Sequence, residues 1–282
     1  MTFDMPTSDG TPLSDLARLD TLVTVVDVPR FLDMATAGES LLEAGIAVDE
    51  EDERTLADLM LEQVEFANVL LLNKVDQCDD TLLRQAESAL RKLNPAARQL
   101  STSHAKVAFE DIVGTELFNL EQAQSSTAWH AELTESHTPE TEEYGISSFV
   151  YRARRPFHPA RLARVLERDW PGVLRAKGFC WLASRHNDAI FWSQAGTSLA
   201  LQGSGSWWAS DPSQGEQEPE DEAYLASVWQ EPFGDRRQEL VIIGVGMDAP
   251  SITKSLGSAL RKDGEMARGP EAWERFPDPL PR

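Results

Sequence analysis

The sequence predicts an α/β protein in two parts, a parallel sheet with crossover helices followed by a smaller α+β domain with an antiparallel sheet. Residues 69–72 are four consecutive aliphatic residues, which is typical of a strand covered on both faces. Residues 22–26 are rich in β-branched side chains, and apolar residues at helical spacing over 56–67 predict the crossover between these two strands. From residue 144, short strand-like segments separated by Gly, Asn and Ser turns predict the antiparallel sheet.

The remaining elements follow from local patterns. Residues 79–81 are a good helix start, and Asn94-Pro95 ends that helix. A further strand is predicted at 98–101, and residues 107–120 carry another α/β signal. The second half is predicted to contain strands at 146–151, 178–183, 189–192, 198–201 and 240–244, with helices at 160–170 and 251–260.

The predicted domain organisation places a first domain at 1–121, a linker at 122–143 and a second domain at 144–282. The linker prediction rests on a polar stretch that lacks apolar periodicity and is rich in turn and acidic residues. Residues 211–222 are rich in Gln, Pro and acidic residues, which predicts a disordered insertion. A chain of 282 residues is long enough for two domains, each with its own core.

The composition excludes several classes of function. The 47 acidic residues outnumber the 26 basic ones and give a net charge of −21, which repels phosphate backbones and anionic lipid. We therefore expect neither nucleic acid nor a membrane as partner. Cys78 and Cys180 are too few for a disulfide framework or a four-cysteine zinc site, so a cytoplasmic chain with reduced thiols is expected. The N-terminus lacks the pattern of a signal peptide, and no apolar run approaches the length of a membrane span.

Three polar residues follow the aliphatic segment 69–72 in the pattern N-K-x-D: Asn73, Lys74 and Asp76. In an open α/β sheet, ligands bind at the carboxyl ends of the strands. An ionised Asp76 carboxylate can accept two hydrogen bonds from guanine, whereas adenine has no matching pair of donors. Asn73 can bridge the base and the neighbouring loop, and the Lys74 stem can lie along the ring with its ammonium in water. The alternative is an ordinary turn in which Asn73 and Asp76 bond local backbone.

The predicted strand at 98–101 delivers Thr102, Ser103 and His104 to the same edge of the sheet. In guanine-nucleotide folds, a loop at this position completes the base pocket through backbone N–H groups. These three residues are therefore candidates for a base-binding loop. The alternative for His104 is an exposed loop histidine without a ligand.

The second half contains two further candidate surfaces. Trp207 and Trp208, flanked by Gly and Ser, are expected to be partly exposed and to mark an interface. Arginines are concentrated in an otherwise acidic chain, and they form either a solvated face paired with local acids or a docking surface. These arginines are Arg152, Arg154, Arg155, Arg161, Arg164, Arg168 and Arg175.

Several segments, taken together and in order, resemble the CobW family of P-loop GTPases. They are LDTLVTVVD at 19–27, EQVEFAN at 62–68, NKVD at 73–76, RRPFHP at 154–159 with Arg161-Leu162, KGFCWLA at 177–183 and GDRRQEL at 234–240. The resemblance runs from about residue 16 to residue 281. It implies a Rossmann-like GTPase domain, here incomplete, followed by the CobW-like C-terminal domain. In the family, binding and hydrolysis of GTP with magnesium are coupled to delivery of a metal, zinc in the best-supported cases and cobalt in others.

The sequence also departs from the family pattern. It contains no G-x-x-x-x-G-K-[ST] phosphate loop, no CxCC metal motif, and no strand that supplies magnesium-binding carboxylates. We therefore expect the C-terminal portion of a zinc metallochaperone GTPase, from a truncated or split gene or a misassigned start, with no catalytic or metal-ligating residues of its own. Its expected partners are a client metalloprotein or a separately encoded GTPase half. The alternatives are a non-enzymatic binding module or adaptor, and a chain that folds poorly because its sheet edge is exposed.

Overall fold

The computed structural model describes residues 10–12, 16–45, 54–119, 144–210 and 219–281. The chain divides into two compact units. The first comprises Met1–Leu32 with Glu62–His130, and the second comprises Asp33–Leu61 with Ala131–Arg282. The predicted linker at 122–143 lies outside the described residues, so the domain boundaries remain a prediction. Residues 211–218 of the predicted disordered insertion also lie outside them, and the prediction is wrong for 219–222, which begin the helix Pro219–Val228.

The first unit contains a parallel sheet of three strands in the order β1-β2-β3, as predicted. The strands are β1 (Val23–Asp27), β2 (Val69–Asn73) and β3 (Arg98–Ser101). The central strand β2 is hydrogen-bonded on both sides, and its four aliphatic residues are buried. In the register of the sheet Asp27 lies opposite Asn73, so the carboxyl ends of β1 and β2 are level with each other.

The helices of the N-terminal half are α1 (Val28–Thr36), α2 (Leu56–Phe66) and α3 (Asp80–Leu93). Helix α3 begins where expected, because the Asp79 carboxylate accepts a hydrogen bond of 2.7 Å from the Leu82 amide. Asn94 follows its last residue and is buried. The Asn94 amide nitrogen donates to the carbonyl oxygens of Val64, Glu65 and Ala67, which lie at or just beyond the end of α2. One side chain thus satisfies backbone acceptors that the end of α2 leaves free.

The prediction of further α/β structure at 107–120 is wrong for residues 107–119, which are the part that the structure describes. Residues 107–119 form no strand or α-helix, only the 3-10 helix Phe109–Asp111. The segment is fixed by polar contacts instead. The Asp20 carboxylate accepts hydrogen bonds from the amides of Thr115 and Glu116, at 3.0 and 2.8 Å.

The second unit contains an antiparallel sheet of five strands in the order β4-β8-β5-β6-β7, which confirms the predicted class. The strands are β4 (Ile146–Ala153), β5 (Val173–Cys180), β6 (Asp188–Ala195), β7 (Ser198–Ser206) and β8 (Gln238–Val245). Strand β5 begins five residues before the predicted start. The sequence 173–177 contains Arg175 and Lys177, which look like surface residues, yet both are buried in the sheet.

The helices of the second unit are α4 (Pro159–Leu166), α5 (Pro219–Val228), α6 (Ala249–Ala259) and the short α7 (Asp263–Met266) and α8 (Pro270–Trp273). Helices α4 and α6 pack together, and Leu162 and Leu256 join the main core. A second apolar cluster forms around Trp181, Trp207 and Trp273.

The expectation that Trp207 is partly exposed and marks an interface is wrong, because only 3% of Trp207 is accessible. Its indole packs edge-on against Phe179, within the second apolar cluster. The neighbouring Trp208 is half-buried.

Within the described residues, no helix combines the length and the apolar character that crossing a bilayer requires.

Candidate functional site

The candidate site lies at the carboxyl ends of β1, β2 and β3. Asp27 ends β1, Asn73 ends β2, and Thr102 follows β3. Backbone pairing holds the loop after β3 beside the end of β2, since the Thr102 amide donates to the Leu72 carbonyl at 2.8 Å. The three predicted base-loop residues and the N-K-x-D residues therefore lie at one edge of the sheet.

Asn73 connects β2 to the loop after β3. Its side-chain oxygen accepts a hydrogen bond of 2.8 Å from the Ala105 amide. His104 and Ala105 both have left-handed backbone conformations, with φ of 56° and 53°. Two such residues in succession are costly for side chains other than glycine, and strain of this kind concentrates at functional sites. The Asn73 amide nitrogen has no partner in the described part of the chain, so it remains available to a ligand.

Asp76 is exposed and lies in the 3-10 helix Val75–Gln77, directly after β2. A hydrogen bond from the Ser103 side chain lowers the pKa of the Asp76 carboxyl, and the nearby His104 lowers it slightly further. The group is therefore a carboxylate at neutral pH. Its own backbone amide also donates to it, and these two hydrogen bonds leave part of its acceptor capacity free, because a carboxylate accepts at about four lone-pair positions.

Lys74 forms an ion pair that the N-K-x-D pattern does not predict. Its backbone is left-handed, with φ of 65°, and its ammonium forms an ion pair of 2.6 Å with Asp27 rather than lying in water alone. The side chains of Lys74 and Asp27 are 42% and 29% exposed. The second carboxylate oxygen of Asp27 is buried and has no hydrogen-bond partner among the described residues.

The predicted base-loop residues differ in what they can contribute. Thr102 is buried, and its hydroxyl donates to the Lys106 carbonyl at 2.5 Å, so it stabilises the loop rather than facing a ligand. Ser103 contacts Asp76, and His104 is exposed beside it. Of the three, Ser103 is the residue that acts directly on an N-K-x-D side chain.

The site combines an exposed carboxylate, an amide group with free donors and a lysine stem fixed at its tip. Such a set suits a flat ligand that presents two adjacent N–H donors and a nearby acceptor. Ordinary turn residues would have their polar groups occupied by local backbone, as the Asp79 cap has. The Asn73 oxygen and the Asp76 carboxylate each accept from a backbone amide, as in such a turn, but the Asn73 amide nitrogen and the remaining lone pairs of Asp76 stay available to a ligand.

The described residues contain no group of three or more His, Cys, Asp and Glu that could hold a metal ion. Cys78 is half-buried, and its thiol contacts the Lys74 carbonyl at 3.5 Å. Cys180 is fully buried in the second unit, where burial raises the pKa of its thiol.

Local acids neutralise three of the arginines in the basic concentration. Arg152 pairs with Glu239 at 2.9 Å, Arg155 with Asp263 at 2.6 Å, and Arg161 with Glu265 at 2.7 Å. For these three arginines, the contacts favour the alternative of a solvated face paired with local acids over that of a docking surface. Arg154 is an exception and makes no ion pair within the described residues.

Comparisons with known proteins give a consistent result over both units. Residues 3–101 match the family model described as "CobW/HypB/UreG, nucleotide-binding domain". Residues 146–260 match "Cobalamin synthesis protein cobW C-terminal domain". The two matches together cover most of the chain, and the parallel sheet lies in the first match and the antiparallel sheet in the second.

The curated relatives are longer than this chain. A protein of Dictyostelium discoideum named zinc-regulated GTPase metalloprotein activator 1 is 40% identical over 272 residues, which are 95% of this chain and 57% of that protein. A zinc chaperone of Mycobacterium tuberculosis is 28% identical over 282 residues, which are 96% of this chain and 63% of that protein. The chain thus spans less than two thirds of the length of these relatives.

Among solved structures, the zinc-bound YjiA GTPase of E. coli is similar with a TM-score of 0.37 and 18% identity, over 89% of this chain and 64% of that one. A zinc-bound triple mutant of the same GTPase gives a TM-score of 0.38 and 16% identity, over 88% and 64%. The two family models, which match residues 3–101 and 146–260, carry the assignment: this chain belongs to the CobW family.

Proposed function

We propose that this chain provides guanine recognition and the C-terminal domain of a GTP-dependent zinc metallochaperone. Two relatives support this proposal by their names, one a zinc-regulated GTPase activator and the other a zinc chaperone. The observation that carries it is the arrangement of Asn73, Lys74, Asp76 and Ser103 at one sheet edge.

Each residue has a distinct part in the proposed recognition of the base. The Asp76 carboxylate accepts from the ring N–H and the exocyclic amino group of guanine, and Ser103 holds it in the ionised form. The free amide nitrogen of Asn73 donates to an acceptor on the other edge of the base. The Lys74 stem covers the ring, and its pairing with Asp27 limits the directions that the stem can take.

We propose weak binding of GTP by these 282 residues alone. Phosphate contacts supply much of the affinity for a nucleotide, and the sequence has no G-x-x-x-x-G-K-[ST] loop to provide them. We accordingly propose that GTP hydrolysis and zinc binding require a protein or complex that also contains the phosphate loop and the CxCC motif of the family. Isothermal titration calorimetry with GTP and magnesium tests this point, and a submicromolar Kd would contradict it.

The proposed partners are a client metalloprotein or a polypeptide that carries the phosphate loop. Purification of the tagged chain from its native host, with identification of co-purifying proteins, separates these possibilities from an adaptor role. A partner with a phosphate loop and CxCC supports a split GTPase. An unrelated metalloprotein as the main partner, together with no guanine binding, would support the non-enzymatic adaptor instead.

Saturation-transfer NMR with nucleoside monophosphates tests base recognition directly at millimolar ligand concentrations. We expect GMP to bind, IMP to bind more weakly because it lacks the exocyclic amino group, and AMP to give no signal. The Asp76→Ala variant should lose the preference for GMP. The control is Asp80→Asn, which removes an exposed charge four residues away and should keep the preference. Equal signals from GMP and AMP would overturn the proposal.

A further inference from the structure

A cleft of about 240 Å³ in the second unit is basic although the chain as a whole is strongly acidic. It lies between the end of β4 and the turn that precedes β8. Three arginines and a single carboxylate line it, next to apolar side chains: Arg154, Arg155, Arg236, Glu231, Phe233 and Met266. Such a local excess of positive charge is neutralised either by nearby carboxylates or by a bound anion.

Arg236 shapes the cleft and is not available to a ligand. Its guanidinium donates to the carbonyl oxygens of His186 and Phe233, at 3.0 and 3.1 Å. It also donates to the Ser210 hydroxyl at 2.6 Å and to the Asn187 side-chain oxygen at 3.4 Å. With four of its five N–H donors occupied and only 6% of its surface exposed, Arg236 is a structural element of the wall.

Arg154 differs in that most of its donors are free. Its contacts in the described part of the chain are two long hydrogen bonds from Nη1, to the carbonyl oxygens of Gly234 and Arg236 at 3.5 and 3.4 Å. Nε and Nη2 have no partner there. Burial and the nearby Arg237 cation lower the pKa of Arg154, and the carboxylates of Glu239 and Asp235 offset this only in part, so the surroundings still disfavour its charge. A bound anion would relieve that cost.

Arg155 has a partner that a ligand can displace. It pairs with Asp263 at 2.6 Å, but the Asp263 side chain is 89% exposed. An ion pair with so exposed a partner contributes typically less than about 1 kcal/mol to stability. A carboxylate bound in the cleft can therefore displace Asp263 from Arg155.

We propose that this cleft binds an acidic side chain of a partner polypeptide, with Arg154 and Arg155 as the paired cations. The planar guanidinium fork matches a carboxylate. Phe233 and Met266 offer apolar contact to the stem of the bound side chain and its neighbours. Glu231, which lines the cleft and receives the Trp229 indole N–H at 3.0 Å, repels a second negative charge, so a carboxylate fits better than a phosphate dianion.

Fluorescence anisotropy with the full chain tests this assignment. The probe is a labelled, end-capped hexapeptide of alternating Glu and Leu, and the matched peptide has Gln in place of Glu. We expect the Glu peptide alone to bind, with Arg154→Gln weakening it by roughly tenfold. The control is Arg164→Gln, which removes an exposed positive charge of the same unit outside the cleft and should change binding by less than about twofold.

Arg154→Lys keeps the charge but loses the fork, so it should bind with intermediate affinity. It also serves as the test variant if Arg154→Gln lowers the unfolding midpoint. No binding of the Glu peptide, or equal losses in the Arg154→Gln and Arg164→Gln variants, would overturn the proposal. Displacement of the peptide by an equal concentration of inorganic phosphate would overturn the assignment to a carboxylate.

Discussion

Lys74 and Asp27 form an ion pair of 2.6 Å across the carboxyl ends of two neighbouring parallel strands. The pair is 47 residues apart in sequence and is brought together because Asp27 and Asn73 lie opposite each other in the register of the sheet. Lys74 reaches Asp27 from a left-handed backbone conformation. The lysine of the N-K-x-D motif is therefore positioned by a carboxylate outside the motif.

The Asp27→Asn variant tests this positioning role. Without the charge, Lys74 is free to turn into water, and we expect GMP binding by the chain to weaken several-fold. The unfolding free energy should change by less than about 1 kcal/mol, because both partners are partly exposed. Ligand-observed NMR and urea unfolding measure the two effects separately. Unchanged GMP binding in a folded Asp27→Asn protein would show that Lys74 needs no such support.

Asn94 provides a stability prediction for the first unit. Its amide donates to three carbonyl oxygens, at 2.8, 3.0 and 2.9 Å, and its oxygen accepts from the Ala97 amide at 3.0 Å. Asn94→Ala leaves these buried groups without partners and should cost about 3 kcal/mol in urea unfolding. The exposed Gln77→Ala is the control and should cost less than about 0.5 kcal/mol. Similar losses in both variants would contradict a special role for Asn94.

Glu265 makes the stability of the second unit depend on pH. A two-pronged contact with Arg161, at 2.9 and 2.7 Å, is the main cause that lowers the pKa of Glu265 to about 2. An unfolded glutamate has a pKa of about 4.3, so the pair stabilises the fold fully above that pH. The contribution is lost as the pH falls from about 4.3 through 2.

The Glu265→Gln variant isolates this effect. Unfolding free energies of the two proteins should differ by on the order of 2 kcal/mol at pH 6 and converge as the pH approaches 2. Chemical denaturation at a series of pH values gives the difference at each point. A difference that stays constant over the range would mean that the Glu265 charge does not contribute.

Gly178 is required in the middle of β5. Its φ is +148°, and a Cβ there would overlap the carbonyl oxygen of Glu239 on the neighbouring strand β8. We expect Gly178→Ala to destabilise the protein by roughly 3 kcal/mol or more. Gly257→Ala is the matched control, because it lies in α6 with open space around it and should stabilise the chain by about 0.5 kcal/mol. Tolerance of Gly178→Ala at wild-type stability would contradict the tight β5–β8 contact.

The sequence predicted the central strand and the polar residues at its end, because the signal is local. Four aliphatic residues followed by N-K-x-D identify β2 and its carboxyl edge without any long-range information. The location of Ser103 at the same edge as Asp76 also follows from this logic, since parallel neighbours end at the same edge. The local pattern could not predict the ion-pair partner of Lys74, because that partner depends on the register of β1 against β2.

The errors in the second unit have a common cause. Arg175 and Trp207 look like exposed residues when their side chains are considered alone, yet both are buried. Burial of a charged or amphipathic group depends on partners far along the chain, which periodicity cannot reveal. The start of β5 and the location of Trp207 therefore needed the three-dimensional structure.

The central claim is that Asp76 selects guanine, and the Asp76→Asn variant tests it most directly. An asparagine can accept from the ring N–H of xanthine and donate to its second carbonyl, whereas the native carboxylate repels that carbonyl. Saturation-transfer NMR with GMP and xanthosine monophosphate should show GMP preferred by the native chain and xanthosine monophosphate preferred by Asp76→Asn. An unchanged preference in the folded variant would contradict the assignment of this sheet edge to guanine.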